Sequence, residues 1–215
     1  MQFVNKTNRQ IVFKRVFIRY KFKVISFETE IKTENNIETE ESIFTPKNFY
    51  DSLSVATLSI VNNDIVYTPD WVNIDYPMGD VPEMTGVCSD VIIRAYRKMG
   101  IDLQQELHED ILKNPSRYPN ISRADNNIDH RRVPNLARFF TQYGEMLEVT
   151  DNSDDYKPGD IVYWKLGGKT DHIGIVTHLK TEVGTPLMVH NICCGQNLDD
   201  CLFHYTIYKH FRCKK

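Results

Sequence analysis

Residues 85–100 read TGVCSDVIIRAYRKMG, and the spacing within this stretch decides how the chain folds. Val87, Val91, Ile92, Ala95 and Met99 recur on one face of a 3.6-residue repeat, which predicts an amphipathic helix. Gly100 suits the position just past its end. Cys88 then falls in the first turn, where backbone N–H groups lack intrahelical acceptors and the helix dipole is positive. A thiol is a weak nucleophile at pH 7, its ordinary pKa being about 8.5, and a helix N-terminus is one of the few local features that lowers it. The same free N–H groups can hold the oxyanion formed when a carbonyl is attacked.

Working outward, a second helix is expected through LQQELHEDILKN, ending before Pro115, and a third from about Pro134 through Tyr143 to Gly144. A polar loop, 116–133, separates them. Downstream the pattern changes to short β-like runs, DIVYWKL, HIGIVTHL, PLMVHNI and LFHYTIY, separated by glycine, proline and aspartate. Helices followed by strands describe an α+β domain. Upstream, NFYDSLSVATLSIVNNDIVY after Pro46 carries Leu53, Ala56 and Ile60 at helical spacing, so a helix leads into the core and the domain starts near residue 45.

The first 27 residues form a basic head with Lys6, Arg9, Lys14, Arg15, Arg19, Lys21 and Lys23 and no acidic residue before Glu28. These charges interrupt every stretch that could serve as the apolar region of a standard export signal. Within the head, YKFKVISF alternates like an exposed or half-buried strand. Residues 28–42 hold Glu28, Glu30, Glu34, Glu38, Glu40 and Glu41 against Lys32, a composition that suits a linker. The chain of 215 residues is 41% hydrophobic and 11% aromatic, with a formal net charge of −3. No run reaches the ~18 apolar residues of a membrane span, which excludes an integral membrane segment. The net charge offers no general attraction to nucleic acid, so no nucleic-acid partner is expected.

A cysteine nucleophile needs an imidazole that takes its proton and later protonates the leaving amine, and that ring needs an orienting group on its far nitrogen. His172 opens HIGIVTHL and His190 ends PLMVH, so neighbouring antiparallel strands can bring them together. Asn191 is the rival orienter but falls on the opposite face of a regular strand. His178 shares the strand face of His172 and reads as a satisfied strand histidine, and His108, His204 and His210 as surface or core residues. Asp160, in a Pro-Gly-Asp turn, reads as a cap. Asp171 faces away from the base.

These residues carry a resemblance. Cys88-Ser89-Asp90 at a helix start, Gly159-Asp160-Ile161-Val162 opening a strand, His172-Ile173-Gly174-Ile175-Val176 and a last His190 resemble the NlpC-type superfamily of peptidoglycan cysteine peptidases. That resemblance implies a reduced papain-like core and a tyrosine twelve residues before the nucleophile at the oxyanion region, where Tyr76 stands. A closer resemblance, covering about residues 76–213, is to a bacterial family of unknown function numbered twelve-eighty-seven in the same superfamily. It rests on YPMGDVPEMTGVCSDVIIRAYRKMGIDLQQELHEDI, NNIDHRRVPNL, KPGDIVYWKL, HIGIV and VHNI in that order.

The resemblance implies hydrolysis of an amide in cell-wall peptide, favouring the link between D-glutamate and the diamino acid, with no cofactor. Cys88, His172, His190 and Tyr76 are the expected catalytic group. Asp129, His130, Arg131 and Arg132 read either as a solvated charge run or as substrate recognition, the arginines holding a carboxylate of the stem peptide. The expected place of action is the periplasm or cell wall. Without a standard signal, the expectation is a dedicated secretion apparatus, a misassigned start or action on something intracellular; for a delivered toxin, an immunity protein is an expected partner. An acyltransferase or a non-catalytic wall-binding module on the same fold remains an alternative.

A zinc-stabilised domain is the other alternative, because Cys193, Cys194, Cys201 and Cys213 with His190, His204 and His210 supply enough ligands. Their spacing contains no CxxC knuckle and argues against it. With 5 cysteines, an oxidising compartment predicts two disulfides among those four and a free Cys88. Direct Cys193–Cys194 bonding is the least expected pairing, since adjacent residues seldom meet disulfide geometry.

Overall fold

In the computed structural model the described residues are 12–20 and 23–31, as backbone, and 44–214. The chain divides into two compact units, residues 1–45 and 46–215. In the first, β1 (Val12–Tyr20) pairs antiparallel with β2 (Lys23–Ile31), Val12 opposite Ile31 and Tyr20 opposite Lys23. YKFKVISF is therefore not one strand: β1 ends at Tyr20 and β2 begins at Lys23. The exposure of the basic head and the linker expected at 28–42, beyond the β2 backbone to residue 31, lie outside the described residues.

The second unit opens with α1 (Phe49–Leu58), whose cap Asn48 accepts from the N–H groups of Tyr50 and Asp51 at 2.8 and 3.0 Å. The helix stops short of Ile60, and NNDIVY becomes β3 (Asn62–Tyr67) instead of more helix. Asn62 accepts from the Asp64 N–H at 2.9 Å, a local turn bond that competes with helix continuation. Next come β4 (Thr85–Gly86), α2 (Cys88–Lys98), α3 (Leu103–Lys113) capped by Asp102, and α4 (Val133–Tyr143) with Pro134 in its first turn. Gly100 follows α2 at φ +80°, the left-handed conformation a helix stop requires.

The remaining strands are β5 (Glu145–Leu147), β6 (Ile161–Leu166), β7 (Thr170–Lys180), β8 (Pro186–His190), β9 (Cys194–Asp199) and β10 (Thr206–Arg212). They complete an eight-stranded sheet in the order β4-β3-β9-β8-β7-β6-β10-β5. All its pairings are antiparallel except β3 with β4. The unit is thus α+β. LFHYTIY starts as a turn closed by His204 N–H to Cys201 O at 3.1 Å, so the strand begins four residues later than its apolar run.

Alternation along β7 sorts the core. Ile173 and Ile175 pack with Ile92, Ile93, Phe140 and the Cys88 thiol among the helices. Val176, of opposite parity, packs with Trp164, Met188, Cys201 and Leu202. This sorting also decides the cysteines. Cys213 is buried in the first cluster and Cys201 in the second, so they cannot bridge, and the bonded pair is Cys193–Cys194. The expectation of two disulfides is corrected to one, at the position that seemed least suited to it. Among the described residues no helix is long and apolar enough to cross a membrane.

Candidate active site

Cys88 is the first residue of α2, and the two residues after it build its support. Asp90 reaches back to the Val87 N–H at 2.7 Å, satisfying one open donor of the helix end. Its carboxylate also receives Arg131, Nε to Oδ1 at 2.9 Å and Nη2 to Oδ2 at 3.0 Å. Ser89 Oγ donates to the Arg131 carbonyl at 2.8 Å. Arg131 finally donates to the carbonyls of Asp70 and Thr68 at 3.0 and 3.1 Å, tying the segment after β3 to the same point. The sequence Cys-Ser-Asp is therefore a nucleophile position followed by two residues that fix the loop around it.

The thiol lies against the backbone N–H of Ile173, the residue after His172, and against the N–H groups of Ser89 and Cys88. On β7, His172 points to the face opposite Ile173 and stands across from Trp164, whose indole stacks on the imidazole at 5.5 Å between centroids. His172 Nε2 and His190 Nδ1 are 2.8 Å apart. His190 Nε2 in turn meets Asp199 Oδ2 at 3.0 Å. Register explains this line of three. Gly174 opposes His190 and Asn197 opposes His190 from the other side, so His172 and Asp199 are each a diagonal neighbour of His190 on one sheet face. Gly174 makes room for it: a Cβ there would sit 3.1 Å from His190 Cβ and 3.1 Å from the Trp164 ring.

Burial dominates the electrostatics. It raises the Cys88 pKa to about 12, against the opposing pull of the Ile173 and Ser89 N–H groups. It lowers His172 to about 3, with the neighbouring His190 adding to the shift. His190 is lowered by burial, and Asp199 acts the other way. At rest the arrangement favours a neutral thiol and neutral rings. Cys88 is 4% exposed, and the grooves of about 460 and 720 Å³ elsewhere on the unit are lined by neither Cys88, His172 nor His190. A bulky reactant reaches the thiol only if neighbouring residues move.

Tyr76 is placed differently from its expected role. Its ring packs edge-on against His108 of α3 at 5.3 Å, on the loop that Asp102 and Gln104 anchor through Met78 and Gly79. Tyr67, at the end of β3, is the tyrosine whose hydroxyl responds to the thiol: its pKa is raised by burial and then by Cys88 and Asp90. Asn191, the rival orienter, donates to the Gly86 carbonyl at 3.4 Å rather than to either histidine, and its Oδ1 is buried without a partner.

The run 129–132 is not a solvated loop, since Asp129, His130 and Arg131 are all buried. Asp129 is buried and accepts from the Asp125 N–H at 2.6 Å. His130 is buried with its pKa lowered to about 3, by burial first and then by Arg131. Arg131 is consumed by Asp90 and two carbonyls, which leaves Arg132 as the exposed member of the run. Among the supporting residues, Asp199, Tyr67 and Trp164 were not singled out from the sequence. Strand parity points to Asp199 only once β9 is known, and CGQNLD lacks the alternation that would reveal a strand. Other polar residues find ordinary partners: His178 Nδ1 pairs with Ser54 Oγ at 2.9 Å, and Asp160 accepts from the Lys157 N–H at 2.8 Å and meets His210 at 2.8 Å. Asp171 pairs with Lys165 and Tyr163.

Among the described residues no group of three or more His, Cys, Asp or Glu side chains is disposed to hold a metal ion. A family described as a domain of unknown function, DUF1287, matches residues 54–213. The uncharacterized protein YijF of Escherichia coli strain K12 is 44% identical over 155 residues, 71% of this chain and 76% of that protein. No solved structure matches.

Proposed function

The chain belongs to the DUF1287 family, and from that premise we propose that it is a cysteine hydrolase of amide bonds in bacterial cell-wall peptide, built on a reduced papain-like core. The observation that carries the reading is the placement of Cys88 at the start of α2 against the backbone N–H of Ile173, the residue after His172, together with the hydrogen-bonded line of His172, His190 and Asp199 on the sheet. A nucleophile at a helix N-terminus, a base and an orienting group are the parts acyl transfer requires.

In the proposed cycle His172 takes the Cys88 proton as sulfur bonds to the substrate carbonyl carbon. The N–H groups of the α2 start receive the oxyanion. The imidazolium then gives its proton to the departing amine as the C–N bond breaks, leaving a thioester. Water enters, loses a proton to His172 and adds to the thioester. The thiolate leaves and is reprotonated, releasing a carboxylic acid. Water is the only co-reactant.

The substrate class rests on the resemblance to NlpC-type enzymes, with the D-glutamate to diamino-acid link as the favoured bond. With Arg131 committed to Asp90, Arg132 is the arginine of the run left to meet a substrate carboxylate. Action in the periplasm or cell wall, and delivery by a secretion apparatus with an immunity protein as partner, belong to the same reading. Burial of the thiol favours one second reading, a non-catalytic wall-binding module on this fold. Digestion of purified peptidoglycan followed by mass spectrometry separates the two. Hydrolase action releases peptide fragments with the wild type and none with Cys88→Ala. Binding of both proteins to the wall without new fragments rejects the hydrolase.

A further inference from the structure

Resting on that hydrolase reading, we propose that Asp199 is a positioning residue that sets the protonated nitrogen of both histidines and so leaves His172 Nδ1 free to accept the Cys88 proton. The argument is one of donors and acceptors. A carboxylate can only accept, so the 3.0 Å contact from His190 Nε2 to Asp199 Oδ2 requires the proton of neutral His190 to be on Nε2. His190 Nδ1 is then an acceptor. Its 2.8 Å partner, His172 Nε2, must be the donor. A neutral imidazole carries one N–H, so the lone pair of His172 is on Nδ1. One carboxylate thereby fixes, through two rings, the nitrogen that serves as base.

The surroundings fit a transmitted effect rather than a local one. His172 and His190 are enclosed, whereas the Asp199 side chain is 48% exposed at the outer end of the line. Trp164, stacked on His172 and tilted against His190 at 6.3 Å, holds ring planes but donates to Leu202 O at 2.9 Å, so it selects no histidine tautomer. Asn197, opposite His190, donates instead to the Cys194 carbonyl at 2.9 Å. Among the hydrogen bonds made by His190, Asp199 is the contact that fixes its proton.

The substitution that tests this is Asp199→Asn beside Asp199→Ala. An asparagine of the same shape can turn its amide so that Oδ1 still accepts from His190 Nε2–H, which keeps both tautomers. Alanine removes the acceptor and with it the preference. Asn is therefore expected to preserve what Ala loses. Imidazole ¹⁵N spectra of the full chain at pH 7.5 should show the Nε2–H tautomer at His172 in the wild type and the asparagine variant and a mixture in the alanine variant. Peptidoglycan turnover should fall about tenfold in kcat for Ala and less for Asn, with KM unchanged. An alanine variant that keeps the wild-type His172 tautomer, or that is as active as wild type, overturns the proposal. A wild type that cleaves no wall while the tautomers shift as expected rejects the hydrolase reading and leaves the assignment of Asp199 standing.

Discussion

Arg131 closes on Asp90 through two parallel hydrogen bonds of 2.9 and 3.0 Å, with both side chains only 2% exposed. Two charges so enclosed offset their desolvation only while both are present, and removing one partner from a buried pair costs about 3–5 kcal/mol. Arg131→Ala is therefore expected to lower the unfolding free energy read from urea titration by that amount, and to lower activity through the loosened 68–70 segment and α2 start. Arg132→Ala, at an exposed neighbour, should change stability by no more than about 0.5 kcal/mol. Equal stability of the two variants would contradict the assignment of Arg131 as the clasp of the site.

Cys88→Ala and His172→Ala should each abolish turnover of purified wall, by ~10³-fold or more, because members of one acyl-transfer unit fail together. Their double variant should lose little beyond either single one. The check is product formation by mass spectrometry on proteins with wild-type circular dichroism. Near-native rates in Cys88→Ala would remove the nucleophile.

The buried imidazoles predict acid lability. His172 and His130 are each lowered to about 3, mainly by burial, from an ordinary value near 6.5. Between those values the unfolded chain binds protons that the folded one refuses. The contribution is thus whole above pH 6.5 and falls with pH, by about 1.4 kcal/mol per pH unit for each such ring, until the folded pKa is reached. His178 and His190, lowered by burial as well, act in the same direction. Urea midpoints measured from pH 7.5 to 4.5 should decline steadily below 6.5, and His130→Gln should flatten the slope. A flat profile would mean these rings are protonated when folded.

The Cys193–Cys194 bond predicts how the thiols count. Protein prepared without reductant, unfolded and alkylated, should carry label on Cys88, Cys201 and Cys213 and none on the adjacent pair. Reduction before labelling should raise the number to 5. A single labelled cysteine would restore the two-disulfide arrangement and require Cys201 and Cys213 to leave their separate cores.

The legible parts of this chain were those with a period. The apolar faces of α2, α3 and α4 and the alternation in β6, β7 and β8 announced themselves, and with them Cys88, His172 and His190. The parts that stayed hidden are held by partners rather than by pattern. Asp199 lies in β9, a strand of CGQNLD that pairs β3 with β8 through its backbone. Tyr67 ends a strand of Asn, Asn and Asp, and the role of Arg131 depends on a residue 41 positions away. A charged run looks solvated in sequence because sequence does not display which charge meets which.

The last prediction concerns when the thiol loses its proton. Burial raises the Cys88 pKa to about 12 despite three nearby N–H groups, and His172 is lowered to about 3. These shifts favour a neutral pair over a thiolate–imidazolium pair in the free protein. Because only the thiolate is nucleophilic, alkylation of Cys88 by iodoacetamide at pH 7.5 should run about a thousandfold slower than that of a free cysteine, and rise about tenfold per pH unit toward 12. Peptide-resolved mass spectrometry isolates Cys88 from Cys201, which burial also raises to about 12. Fast labelling with a plateau near neutral pH would reveal a preformed ion pair instead. The expected slow profile would place proton transfer to His172 in the same step as attack on the carbonyl, so that the site becomes reactive when a substrate occupies it and not before.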